Sequence, residues 1–374
     1  MNGSVVIKGG KLLDISNGFD LVDQDIYIEN GIIKNIENKI NKKNCKVLHL
    51  NEQIVTPGFI DIHTHVYPGK AYVGIKPEKI GIKTGTTTLI DAGSVGAKHF
   101  NHFYETVIKK SNEEIFSLIN VAYMGLTNGK YELADLDNID LNLLEKVIKK
   151  NYDKIIGIKA RASASTVGKL GIKPIKLAKK VSKKMNIPLM VHIGNNPPKI
   201  EKILPLLDEN DVITHSFHGK KNGILSNKGR LKKEVIRAKE RGVLFDVGHG
   251  SSSFNFNVAQ KAINQGFYPD TISTDIYSDN YQGPVYNLIT TVNKIISLGV
   301  NFKDCINMVT NIPAVNFNLD FIGNLKKGYQ GDLTIFNLKS TEVNYKDSDG
   351  NTITNNKVIE GTHVVKKGKI YELD

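Results

Sequence analysis

Between about Ile54 and Leu325 the chain repeats one pattern. A short apolar, β-rich run is followed by a segment whose apolar residues recur every three or four positions, with lysines on the opposite side. The apolar runs end near His65, Asp91, Tyr123, Lys159, His192, His215, Asp246 and Asp275. Segments with helical spacing lie between them at 97–110, 141–152, 174–185, 198–208, 231–241, 257–265 and 286–298. Eight strand–helix units in about 270 residues predict an α/β chain closed into a (β/α)8 TIM barrel. The runs are almost continuously apolar, as parallel strands covered on both faces must be.

The two ends read differently. Residues 4–7, 21–28 and 32–36 are β-rich, with a turn at Glu29-Asn30-Gly31, and 332–336 and 363–371 are strand candidates near the C-terminus. The segment 26–33 echoes 363–370: in each, an apolar run, a glycine turn and a second run follow one another. We expect one small, β-sandwich-like composite domain from residues 1–53 and 326–374, and a barrel from 54–325.

A barrel carries its chemistry at the C-terminal ends of its strands, so the residues that end each run are the candidates. The first run closes as Gly58-Phe-Ile-Asp-Ile-His63-Thr-His65. Residues two apart on a strand share a face, so His63 and His65 can grip one metal ion. Lys159 follows a run of apolar and glycine residues. A buried ammonium there is costly unless it is paired or neutralised, and reaction with CO2 would turn it into a carboxylate. His192, His215 and Asp275 end runs five, six and eight. The set is nitrogen and oxygen without thiolate, which suits zinc first among the transition metals, and it is large enough for two ions. A two-ion site lowers the pKa of a bridging water and polarises a carbonyl.

Composition excludes several classes. No apolar run approaches the length needed to cross a bilayer, and the first residues show no charged-then-apolar leader, so we expect no membrane association and a cytoplasmic protein. Cys45 and Cys305 are isolated and form neither a disulfide framework nor a thiolate cluster. The net charge of +12 comes from a basic set with only four arginines among 50 residues. No basic-aromatic module accompanies it, so nucleic acid is not an expected partner.

Taken in order, these motifs resemble the amidohydrolase superfamily. The segment Thr56-Pro-Gly-Phe-Ile-Asp-Ile-His63-Thr-His65 is similar to its first-strand signature, Gly85-Thr-Thr-Thr-Leu-Ile-Asp91 to its second strand, and 325–336 to the return of the chain into the β domain. The resemblance implies His63 and His65 on a more buried ion, a carboxylated Lys159 bridging, His192 and His215 on a more exposed ion, and Asp275 as both ligand and proton carrier. The segments 65–69, 245–254 and 273–286 resemble a dihydroorotase-like amidohydrolase/deacetylase subgroup.

That subgroup implies hydrolysis of an ester or amide bond in a small, acylated, anionic substrate by a metal-bridging hydroxide. A cyclic amidase of the dihydroorotase or hydantoinase type is the alternative, and a non-catalytic barrel scaffold the alternative of another class. One departure stands out, because the loop after His65 (Val66-Tyr67-Pro68-Gly69) has no arginine to hold a substrate carboxylate. Arg161, two residues beyond Lys159, takes that role in expectation, and His249, His218 and Tyr67 are further candidate substrate contacts. Barrels of this kind often pair, so a homo-oligomer is the expected assembly.

Overall fold

The computed structural model describes residues 3–373. The N-terminal strands are β1 (Val5–Lys8), β2 (Lys11–Asp14), β3 (Phe19–Asp23), β4 (Asp25–Glu29), β5 (Ile32–Glu37), β6 (Lys46–His49) and β7 (Ile54–Pro57). Strands β8 (Phe59–Thr64), β9 (Thr86–Gly96), β10 (Glu114–Asn120), β11 (Ile155–Ala162), β12 (Leu189–Ile193), β13 (Val212–Thr214) and β14 (Leu244–Phe245) follow. The chain closes with β15 (Leu333–Lys346), β16 (Thr352–Lys366) and β17 (Lys369–Glu372).

Strands β8 to β14 form one parallel sheet in chain order, which curls as sequential parallel strands with helical crossovers do. The expected eighth strand is not a regular one. Its segment joins both ends of the sheet through single parallel bridges, Asp246 to Thr271 and Thr64 to Ile276. Backbone bonds from Val247 to Thr271, from His249 to Ser273 and from His65 to Ile276 complete the closure. Asp275 sits in this segment with φ +48°, a left-handed conformation that interrupts a ladder.

The crossover helices fall where the periodicity puts them. Leu141–Lys150 buries Leu144 and Ile148 one turn apart, starts on the Asp140 side chain accepting from the Leu143 amide, and ends in Lys149 and Lys150. Cap and terminal charge both complement the helix dipole. Lys173–Met185 stops at Asn186 in the left-handed region.

Beside the barrel stand two further sheets, one of four strands in the order β5-β4-β1-β6 and one of six in the order β17-β16-β15-β7-β2-β3. Val5, Ile7, Ile26, Ile28 and Ile33 of the first pack with Leu12, Val55, Leu333, Ile335 and Val365 of the second in one buried cluster. This is a two-layer sandwich core. One boundary shifts: β7, which the sequence reading gave to the barrel, pairs with β15 and β2 in the six-stranded sheet. Strands β15 and β16 form a long ribbon that reaches the barrel. Asn293, on the helix Leu288–Ser297, both donates to the Ile359 carbonyl and accepts from its amide, at 2.8 Å each. No helix among the described residues is long and apolar enough to cross a membrane.

Candidate metal centre

Parallel pairing aligns the chemistry of neighbouring strands. On β11 and β12 the register sets Lys159 beside Met190 and Arg161 beside His192, so all four side chains share one face. Lys159 Nζ touches Met190 Sδ at 3.2 Å and His63 Nε2 at 2.9 Å. The lysine stem needs room, and Gly93 on β9 supplies it: a Cβ there would lie 2.8 Å from Lys159 Cβ. The His192 ring lies edge-on to His215 at 4.3 Å, and His63 is 5.0 Å from His215 and 5.5 Å from His65 between ring centroids.

Asp275 closes the group. Its Oδ1 is 3.1 Å from His65 Nε2 and 3.3 Å from His63 Nε2, and its Oδ2 is 3.8 Å from His215 Nε2. His63, His65 and Asp275 each offer a ligand atom within 4.8 Å of the others. The structure thus brings together all six residues that the strand-end argument singled out.

The far sides of the rings are held in ways the sequence reading missed. Asp246 accepts hydroxyl hydrogen bonds from Thr214, Thr271 and Ser273 at 2.6–2.8 Å. Thr214 has one hydroxyl proton and gives it to Asp246, so it can only accept from His63 Nδ1 at 2.9 Å. The His63 proton therefore sits on Nδ1, and Nε2 turns its lone pair inward, where Lys159 Nζ lies 2.9 Å away. His215 Nδ1 reaches the Gly248 carbonyl at 2.5 Å, which fixes the same tautomer. Its Nε2 is buried without a hydrogen-bond partner among the described residues. His65 Nδ1 lies 2.9 Å from Ser94 Oγ on β9, and Asp91 accepts from both the Ser94 amide and the Val66 amide that follows β8. Such outer partners orient metal-ligating imidazoles and set their tautomers. Their signal in the sequence is faint, because Thr, Ser and Asp at strand ends are common.

Electrostatics agree with this. Burial holds His63 and His192 well below the usual histidine range and brings His215 down to about 4, so all three are neutral at pH 7, the form an imidazole needs to bind a metal. Burial also brings Lys159 down to about 7, against the pull of Asp275 and Asp246, so near neutral pH about half of it is the free amine that can add to CO2. Asp275 lies below the usual carboxylate range: burial raises it, but the His65 hydrogen bond and the charges around it prevail. The donor set and the orphaned His215 nitrogen fit divalent ions, which buried nitrogen and oxygen donors of this kind hold.

All six of these side chains except the fully buried His215 line a cavity of about 350 Å³, together with Tyr72, Lys130, Arg161, Ser163, Lys220, Ser251–Ser253 and Tyr277 among others. Larger hollows elsewhere, such as that between Pro68 and Thr106, contain none of the six residues. Of the expected substrate contacts, Arg161 lines the cavity, but Glu132 grips its Nε and Nη2 at 2.6 Å each. The other three are not among the lining residues. Tyr67 is buried and its hydroxyl meets His102 Nδ1 at 2.8 Å. His249 is buried against Lys294 Nζ at 2.8 Å. His218 Nδ1 accepts from the Lys220 amide. The sequence reading put them near the mouth because each follows closely on the end of a barrel strand in the chain. Side-chain direction, which spacing in loops does not fix, turned them into the packing.

The amidohydrolase family profile matches residues 54–371. A protein of Enterococcus faecalis named deacetylase is 38% identical over the whole of both chains. A deacetylase of Brucella anthropi is 36% identical over 83% of this chain and 78% of its own. Among solved structures, an adenine deaminase superposes with a TM-score of 0.93 at 38% identity, covering 98% of this chain and 99% of that one. A dihydroorotase superposes with the same score at 31% identity, covering 99% and 98%.

Proposed function

Because the chain belongs to the amidohydrolase family, we propose that it is a two-metal hydrolase that removes an acyl group, acetyl in the first instance, from a small anionic substrate. The observation that carries this is the Asp275 carboxylate, ringed by the Nε2 atoms of His63, His65 and His215 at the base of a polar cavity. His63, His65 and Asp275 would hold one ion, His192 and His215 the other, with zinc the first choice. Lys159 would join both as a carbamate, formed when its neutral amine adds to CO2 and releases a proton. When bound, the ions lower the pKa of a water and polarise the scissile carbonyl.

The remaining work falls to this chain. Thr214 and Gly248 keep the histidine lone pairs aimed inward. Asp275, ionised at neutral pH, accepts the proton of the attacking water and passes it to the departing amine or alkoxide. The small cavity admits a substrate of modest size. The reading places the enzyme in the cytoplasm as a homo-oligomer, with a small acylated acid as its partner and neither nucleic acid nor membrane.

A second reading, a cyclic amidase, draws on the dihydroorotase neighbour at 31% identity. A panel separates the two: acetate release from N-acetyl amino acids and O-acetyl hydroxy acids, measured beside ring opening of dihydroorotate. Acetate release alone supports the deacylase. Ring opening alone replaces it with the cyclic amidase. Turnover of neither overturns both.

A further inference from the structure

A substrate carboxylate needs a cation that is not already neutralised. Arg161, the residue the sequence favours for this, is not free. Glu132, itself 3% exposed, pairs with it through both carboxylate oxygens, the Lys130 carbonyl takes Nη2 again, and Tyr72 takes Nη1. A bidentate, buried pair of this kind spends the guanidinium on structure.

Lys220 is differently placed. It lines the same cavity as His63, His192 and Asp275 and is half-buried. Among the described residues it forms no ion pair, and only its backbone amide is engaged, by His218 Nδ1 at 3.0 Å. That bond pins the turn from which the side chain extends. Next to it, Asn255 Nδ2 donates to Asp349 at 2.6 Å, which ties the barrel loop to the tip of the β15–β16 ribbon. A lysine half out of water that forms no ion pair, with the Asp275 and Asp349 carboxylates attracting it only from farther off, is unfavourable by itself. Ser251 and Ser253 line the same cavity with further hydroxyls.

We propose that Lys220 binds the carboxylate of the substrate and so sets the preference for acylated acids over their neutral counterparts. The assignment rests on the deacylase reading and adds the residue that selects the anion. It also gives His218 a part, as the positioning residue that fixes the Lys220 backbone.

The test uses N-methanesulfonyl-alanine, which carries the carboxylate but no scissile carbonyl, and its carboxamide. Calorimetric titration of the metal-loaded enzyme should show the acid binding about 10–100-fold more tightly than the amide, the range expected of one charge-assisted contact. Lys220→Gln should lose that preference while binding the amide as the wild type does, and Lys220→Arg should keep most of it. Three results would overturn the proposal: a wild type that binds neither compound, acid and amide bound within threefold of one another, or a Lys220→Gln protein that still prefers the acid. The last would move the carboxylate to another cation of the same cavity, Lys130 or Arg161. Acetate release from N-acetyl-alanine by the wild type is measured separately. Its absence, with the acid preference intact, would count against the deacylase reading and not against Lys220.

Discussion

Two of the cavity histidines have their tautomers set from behind, and this makes the residue-scale account testable. Asp246 takes the Thr214 proton, Thr214 takes that of His63, and Gly248 takes that of His215. Thr214→Val keeps the side-chain shape but leaves His63 Nδ1 without its acceptor. We expect metal affinity to fall about 10–100-fold, read by competition with a chelator, with the fold intact. Asp275→Asn removes the proton acceptor while leaving an oxygen donor. Turnover should fall by about 10²–10⁴-fold while part of the metal is retained, and near-normal turnover would refute the proton-carrying role. At this scale the sequence displayed the six inward-pointing residues because strand ends can be read from apolar runs. It did not display Thr214, Ser94 or Asp246 behind them, nor Glu132 as the partner of Arg161. The Arg161–Glu132 pair spans 29 positions, and only the closed barrel brings such residues together.

Among the elements, the helix Leu288–Ser297 carries a further consequence. It brings Lys294 into the interior, 1% exposed, between His249 Nε2 and the Pro284 carbonyl. Burial brings this lysine down to about 7 from 10.5. The unfolded chain therefore binds more protons than the folded one between those values, and stability rises with pH across that window. Below pH 7 the penalty is fully present. Lys294→Met should raise stability at pH 7 and flatten the slope between pH 7 and 10, measured by urea unfolding. An unchanged slope would show that the ammonium finds compensation in the fold. Periodicity gave the crossover helices within a few residues, but it missed the helices Phe302–Asn307 and Asn311–Asn316 and most of the ribbon. Strands β15 and β16 run to Lys346 and from Thr352 through lysine- and asparagine-rich sequence that reads as polar loop. Backbone pairing carries those strands where side-chain burial does not. The eighth barrel segment failed in the opposite sense. It is apolar enough for a strand, yet it forms only bridges, because Asp275 adopts a left-handed conformation to reach the histidines. A backbone held away from its preferred region at a cluster of ligands is typical of functional sites.

For the whole molecule, the fold fixes where the chemistry sits but not what it acts on. A chain 38% identical to one named deacetylase is also 38% identical to a structure named adenine deaminase, so the reaction has to be argued from the cavity. If metal ions knit β8, β11, β12 and β13 to the segment around Asp275, their removal must weaken the whole barrel. Chelation should lower the thermal midpoint on the order of 5 °C or more, reversed by zinc, since ions that bind only the folded chain stabilise it. The most direct test of the central claim is an anomalous difference map from crystals of freshly purified protein, recorded above the absorption edge of the bound metal. The account predicts two peaks about 3.5–4 Å apart, enclosed by His63, His65, Lys159, His192, His215 and Asp275, with density for a carboxylate on Lys159 Nζ. A map with no peak among these residues and an unmodified amine at Lys159 would contradict it.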